Sequence, residues 1–115
     1  MITHLGFSWV LFALLVGHFL ADYPLQGDFL ARAKDRHSDL AKHFDWRHAM
    51  CAHVMIHAGF VAAVTGSLGL AFLEAGIHFF TDCAKCDKRI SLNTDQAIHI
   101  TCKYAWAALA VWGAA

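Results

Sequence analysis

Four long apolar segments constrain the fold of this chain more than any other feature of its sequence. They cover residues 5–23, 49–66, 68–84 and 94–113, and the last of them is interrupted by Lys103. Each is close to the length of about 20 residues that a helix needs to cross a bilayer. Charged residues make up only 16% of the chain, well below their share in an ordinary soluble domain. We therefore predict an all-α fold, a four-transmembrane-helix up-down bundle formed by residues 1–115 as a single domain. A soluble bundle with an unusually apolar surface is the alternative.

The polar connections between these segments carry their own structural signals. Pro24 disfavours helix at the residue before it and predicts the end of the first helix. Residues 27–46 mix basic and apolar side chains, which is typical of an amphipathic helix in the membrane interface, and we expect this helix to begin at Asp28. Residues 66–69 predict a tight hairpin turn. Asn93 and Gln96 resemble a capping box, with Asn93 as the N-cap of the fourth helix.

The basic residues predict an orientation, because short cytoplasmic loops carry an excess of lysine and arginine. Eight of the nine lie in just two connections, between the first and second segments and between the third and fourth. We predict a multi-pass protein of a bacterial inner membrane, with both connections cytoplasmic and both termini outside. The bilayer is the expected partner, a homo-oligomer is possible, and a formal net charge of zero argues against nucleic acid. The basic residues of the two connections are Arg32, Lys34, Arg36, Lys42, Arg47, Lys85, Lys88 and Arg89.

The four cysteines do not predict a disulfide framework. Cys51, Cys83, Cys86 and Cys102 all lie in or beside apolar segments, and the predicted orientation puts them near a reducing cytosol. The spacing of Cys83 and Cys86 alone is weak support for a metal or redox site. We expect small, buried side chains here.

Three polar residues recur every fourth position in the third apolar segment. Glu74, the only glutamate of the chain, is followed by His78 and Asp82. At about 100° per residue, this spacing puts the three side chains on one stripe of a helix. Such groups are costly to bury alone, so the pattern predicts partners on the other helices.

Each of the other helices offers a matching pair at a spacing of four residues. In the predicted topology the pairs fall at the end of the first helix, the start of the second, the end of the third and the start of the fourth. All four places lie at the cytoplasmic end of an up-down bundle. The pairs are His18 with Asp22, His53 with His57, and Asp95 with His99, beside the Glu74, His78 and Asp82 stripe.

Histidines and carboxylates that converge in a bundle core indicate a divalent-metal site, and their number suggests two ions. Imidazole and carboxylate ligands suit Zn, Mn or Fe and do not choose among them. We predict all nine residues as metal ligands, with Glu74 or Asp82 left to act as the catalytic general base. Lys103 lies deeper on the same stripe, where it would neutralise Glu74 or bind an anionic substrate group. Gln26, Asp28 and Gln96 are predicted at the mouth as supporting groups. A purely structural network of histidine–aspartate hydrogen bonds is the competing interpretation.

The chain resembles a known family in these same positions. The stretches from Gly17 to Leu30, from His53 to His57, from Glu74 to Lys85 and from Asp95 to His99 are similar to the small phage and bacterial membrane proteins of domain-of-unknown-function family 3307. The resemblance covers nearly the whole chain. It implies an inner-membrane protein of a bacterium or phage with these polar positions as its signature, and it implies no activity.

Several functions fit the pattern. The first is a membrane-embedded, metal-dependent hydrolase, dinuclear, that acts on a phosphoester or lipid-headgroup substrate at the cytoplasmic interface. The second is a divalent-metal binding or transport protein. Four short helices, however, offer few parts that could move against one another for alternating access. A redox di-iron enzyme acting on lipid has no positive support from the helix spacing. A phage membrane protein with a purely structural polar core is the last.

Overall fold

The computed structural model describes residues 2–113, which contain five α-helices and no strand. The helices are α1 (Phe7–Asp22), α2 (Gly27–Ala33), α3 (Trp46–Thr65), α4 (Leu68–Cys86) and α5 (Leu92–Trp112), with single 3₁₀ turns at Thr3–Leu5 and Asp39–Lys42. The four long helices pack in the cyclic order α1, α3, α4, α5, and the bundle measures 46 by 22 by 22 Å. The predicted all-α class is confirmed.

The turn between α3 and α4 forms where the sequence predicts a hairpin. Gly66 has a φ of 73°, in the left-handed region that glycine adopts without steric cost, and its N–H donates to the carbonyl of Ala62. The Ser67 hydroxyl then accepts from the N–H of Leu70 as the N-cap of α4. Two caps in succession reverse the chain within two residues and hold α3 antiparallel to α4.

The other two connections differ from the sequence-based prediction. The amphipathic helix is only the seven residues of α2, which begins at Gly27 and meets α1 at an angle of 80°. The N-cap of α5 is Ser91 and not Asn93, since the Ser91 hydroxyl accepts from the N–H of Thr94. Serine and asparagine are equally good N-caps, so the sequence allowed both registers.

The interior of the bundle is divided into two halves. One half is apolar and contains the start of α1, the end of α3, the start of α4 and the end of α5, where Val10, Leu14, Val61, Leu70, Trp106 and Ala107 form one cluster. The opposite half buries polar and charged side chains from the other ends of the same helices. The apolar cluster thus closes one end of the bundle and the polar residues occupy the other.

The outer surface of the long helices is rich in large apolar side chains. Phe12 on α1 is 61% exposed, and Phe72 and Phe80 on α4 are each 73% exposed. Among the helices of residues 2–113, α3 alone is long and apolar enough by itself to cross a membrane. α1 and α2 would form a second span only if the two helices, with the 80° bend between them, crossed the membrane as one broken span. α1 has 16 residues, and α4 and α5 carry buried charged groups that lower their mean hydropathy. The four-span arrangement therefore stays a prediction.

Candidate metal centre

All nine histidine and carboxylate side chains singled out in the sequence lie in the polar half of the bundle. Eight of them are buried, and the side chain of Asp22 is 9% exposed at the edge of the group. The i, i+4 pairs reach this place because each lies on the inward stripe of its own helix. The group consists of His18 and Asp22 from α1, His53 and His57 from α3, Glu74, His78 and Asp82 from α4, and Asp95 and His99 from α5.

Asp22 links three of the four long helices. Its Oδ1 atom lies 2.8 Å from Nε2 of His57 and 3.3 Å from Nε2 of His53. Its Oδ2 atom accepts from the side-chain amide of Gln96 at 2.9 Å and lies 3.3 Å from Nε2 of His18. One carboxylate at the end of α1 is thus the common partner of α3 and α5.

Asp82 is a second carboxylate that contacts several side chains of the site, including His53. Its Oδ2 atom lies 2.5 Å from Nζ of Lys34 and 3.2 Å from Nε2 of His53, and its Oδ1 atom lies 3.5 Å from Nε2 of His99. His99 in turn lies 3.1 Å from Oδ1 of Asp95. Lys34 is 2% exposed, so its ammonium group is a built-in counter-charge of the site.

Two overlapping groups of side chains have the geometry to hold a metal ion. The first is formed by Asp22, His53, His57 and His78, whose ligand atoms all lie within 4.8 Å of one another. Bonds of about 2.0–2.1 Å in a tetrahedral zinc site separate neighbouring ligand atoms by about 3.3 Å. The corresponding separations here are 2.8 Å and 3.3 Å from Asp22 to His57 and His53, and 3.2 Å between Nε2 of His53 and Nε2 of His78. The second group is formed by His78, Asp82 and His99.

The Nε2 atom of His53 has more close polar neighbours than one proton can serve. It lies within 3.3 Å of Asp22, Asp82 and Nε2 of His78. A neutral imidazole carries one N–H proton, which can be donated to only one of these partners. A metal ion among the four atoms would satisfy all of them, and imidazole and carboxylate groups are common metal ligands in proteins.

Glu74 belongs to neither group and lies behind His78. Its Oε1 atom accepts from Nζ of Lys103 at 2.6 Å and lies 3.3 Å from Nδ1 of His78, while its Oε2 atom accepts from Nε1 of Trp106 at 2.6 Å. A carboxylate on Nδ1 fixes the ring so that Nε2 faces a metal, as in many metal sites. These contacts favour an orienting role for Glu74 over that of a general base. Lys103 thus pairs with Glu74 at the inner edge of the site.

A small polar cavity joins the first group to the end of the bundle. It has a volume of about 90 Å³. Asp22, a member of the first group, forms part of its wall. Asp28, which the sequence placed at this mouth, is exposed and faces Arg32 instead. The polar lining comprises Asp22, Gln26, Lys34, Lys85 and Gln96.

Sequence reasoning missed two functional contacts. Lys34 was grouped with the other basic residues of its connection, and no periodic signal distinguishes it, because it follows α2 in an irregular segment. Trp106 could have been found, since it lies three residues beyond Lys103 and so shares the inward stripe of α5. The four cysteines are free, but the prediction that they are buried is wrong. Cys51 is exposed, and Cys83, Cys86 and Cys102 are only partly buried.

An exposed ion-pair cluster fixes the segment that carries Lys34. Arg36 donates from Nε and a terminal nitrogen to the two oxygens of Asp87, at 3.0 and 2.7 Å, and Nε2 of His37 lies 2.8 Å from the same carboxylate. The hydrogen bonds from His37 and Arg36 hold the pKa of the Asp87 carboxyl below its ordinary value. The connection after α2 is thereby tied to the end of α4, next to the cavity.

Comparison with known proteins identifies the family. No curated protein and no solved structure matches the chain. The model of the family described as a protein of unknown function, DUF3307, matches residues 10–113. This range contains all five helices except the first three residues of α1, and with them every residue of the candidate metal centre. The chain therefore belongs to the DUF3307 family.

Proposed function

We propose that this protein is a membrane-embedded, metal-dependent hydrolase that acts on a phosphoester or lipid-headgroup substrate at the cytoplasmic end of its bundle. One observation carries the proposal. The Nε2 atoms of His53 and His57 converge with that of His78 on Oδ1 of Asp22, and the same aspartate lines a cavity at the end of the bundle. Three histidines and one carboxylate beside an accessible cavity are the surroundings of a catalytic ion.

The distribution of polar and apolar side chains supports a membrane location. The polar half buries ten carboxylate, lysine and histidine side chains, while large apolar side chains such as Trp9, Phe12 and Phe72 face outwards. Soluble monomers rarely expose apolar patches of this extent, and polar groups inside a membrane protein face the bundle interior. Both basic connections lie at the polar end, which supports a cytoplasmic position for the site.

The charges of the polar half favour one divalent ion as its first occupant. Lys34 and Lys103 each pair with a carboxylate of the polar half, at Asp82 and Glu74. Among the described residues, Asp22 of the first group meets only histidines and an amide, so a divalent ion would supply its counter-charge. The two candidate groups share His78, whose Nδ1 is turned to Glu74, so its Nε2 can bind only one ion at a time. A dinuclear centre would have to build its second site on Asp82, His99 and Asp95.

The residues around the first group would have different roles in hydrolysis. A bound ion would polarise the substrate oxygen and lower the pKa of a water molecule. Asp82 is the carboxylate next to the first group, 3.2 Å from His53, and would accept the proton of the attacking water. Glu74 would hold His78 in orientation, and Gln96 would do the same for Asp22.

The test is hydrolysis of phosphomonoesters and phosphodiesters by the purified protein in detergent, with Zn, Mn or Fe added. His57→Ala should abolish turnover, because it removes one ligand of the first group. His48→Ala is the matched control, since His48 lies on the same helix but is exposed and outside the site. No turnover of any phosphoester by the metal-loaded wild type, or equal turnover in both variants, would overturn the proposal.

Transport of a divalent metal is the weaker candidate. An ion in the polar half would have to leave through the apolar cluster that includes Leu14, Val61 and Trp106, all of them at most 5% exposed. No polar side chain of that cluster offers a ligand. Metal flux in proteoliposomes would favour transport over hydrolysis, and a folded protein that binds no metal would favour the purely structural core.

A further inference from the structure

The polar cavity at the mouth of the site is lined by two ammonium groups, and neither belongs to the proposed set of metal ligands. Lys34 reaches it from the segment after α2, and Lys85 reaches it from the last turn of α4. Both approach Asp82, with Nζ of Lys34 at 2.5 Å and Nζ of Lys85 at 3.7 Å. A lysine ammonium has three donor hydrogens, so a single carboxylate contact leaves each with donors to spare.

The amides in the cavity wall add both kinds of hydrogen-bonding group. The Gln26 side chain donates to the backbone carbonyl of Asp22, and its Oε1 atom is buried without a partner among the described residues. A buried acceptor with no donor costs free energy unless a ligand or water supplies one. The hydroxyl of a hydrogen phosphate dianion is a donor of that kind.

The charge at the mouth depends on the ion. Asp22 and Asp82 balance Lys34 and Lys85, so the mouth is neutral when the first group is empty. A divalent ion bound by Asp22 and the three histidines would add two positive charges beside the cavity. A phosphoryl dianion matches that charge, and without the ion it would be repelled by Asp22.

The cavity is small and opens to the end of the bundle. Its volume of about 90 Å³ is enough for a phosphoryl group beside Asp22 and the two lysines. The remainder of a substrate would extend through the opening, past Tyr23 and Leu92, which are each 58% exposed.

We infer that Lys34 and Lys85 form a phosphate-binding subsite at the mouth of the cavity, which holds the phosphoryl group of the substrate next to the metal ion. The inference rests on the proposed function, since it names the part of the substrate that this site would recognise. It assigns anion binding to these two lysines and not to Lys103, which is 1% exposed and does not line the cavity.

The experiment measures inorganic phosphate binding to the full-length protein in detergent, loaded with Mn²⁺. Paramagnetic broadening of the ³¹P signal reports phosphate held beside the ion, and calorimetry gives its affinity. Lys85→Met should weaken phosphate binding about tenfold, the loss of one charge-assisted hydrogen bond, with Mn²⁺ retained. Lys34→Met should weaken it at least as much, and Lys34→Arg, which keeps the charge, should retain it if the methionine variant fails to fold. Lys42→Met is the matched control, because Lys42 lies in the same basic connection and its side chain is 75% exposed.

The outcomes separate the inference from the proposal on which it rests. The subsite is supported if the ³¹P signal of phosphate broadens with wild type and with Lys42→Met but not with Lys85→Met. Competition by micelles containing phosphatidate would identify a lipid headgroup as the source of the phosphate, and competition by glycerol phosphate alone would identify a soluble ester. Bound Mn²⁺ with phosphate affinity unchanged in both lysine variants overturns the subsite only. No Mn²⁺ in the wild type overturns the proposed function and the subsite together.

Discussion

The ion pair between Glu74 and Lys103 leads to the largest change in the free energy of unfolding that we predict. Both side chains are 2% exposed, and Nζ of Lys103 lies 2.6 Å from Oε1 of Glu74. Removal of one partner leaves the other as an uncompensated buried charge, which costs about 3–5 kcal/mol. We therefore expect Glu74→Gln and Lys103→Met each to lower the free energy of unfolding by that amount. The double variant should lose less than either single one, because it leaves no unpaired charge.

The assay is equilibrium unfolding in mixed micelles, followed by tryptophan fluorescence. Trp106 donates to Oε2 of Glu74, so it reports directly on this region. A chelator keeps all samples free of metal, so that metal binding does not contribute to the measured stability. Lys42→Met is the control, since Lys42 and Asp39 form an exposed pair whose loss should not be measurable. Losses in the double variant equal to the sum of the two single losses would refute the reasoning.

Three further predictions concern the same bundle. Lys34→Met frees Asp82 and should allow a second equivalent of divalent metal to bind, which elemental analysis would detect; an unchanged content would show that Lys34 does not compete with an ion. Gly17→Ala would put a Cβ atom 2.9 Å from the ring of Phe60 and should destabilise the protein by about 1–3 kcal/mol, measured by the same unfolding assay, with no loss contradicting the packing of α1 on α3. The lowered pKa of Asp87 means that its ion pairs stabilise the fold above the ordinary pKa of 3.8 and that this stability is lost as pH falls through the lower folded value. The melting temperature of Asp87→Asn should therefore lie below that of the wild type at pH 7, and the two should converge in strong acid; a constant difference would contradict this.

Helical periodicity carried most of what the sequence could predict about this site. Because Glu74, His78 and Asp82 repeat every four residues, any helix through them must present all three on one face. The same rule for the other helices, combined with the alternating directions of an up-down bundle, was enough to bring the nine residues to one end. The structure has them there, eight of them buried.

The details that periodicity does not control were not predictable. The position of Lys34 depends on how an irregular segment folds back over α4, and ion pairs between Asp87 and its neighbours decide this. The division of the carboxylates between ligand and support also depends on contacts across helices. Glu74 meets Lys103 and Trp106 and not the other carboxylates, a result of side-chain packing that spacing alone does not specify.

The metal content of the purified protein tests the central claim most directly. Elemental analysis should be made on wild type, His57→Ala and His48→Ala, each purified in detergent and reconstituted with Zn, Mn or Fe. We predict one equivalent of one of these metals in wild type and in His48→Ala, and none in His57→Ala. A wild-type protein that is folded and binds none of the three metals would contradict the proposed metal centre, and its polar core would then be structural.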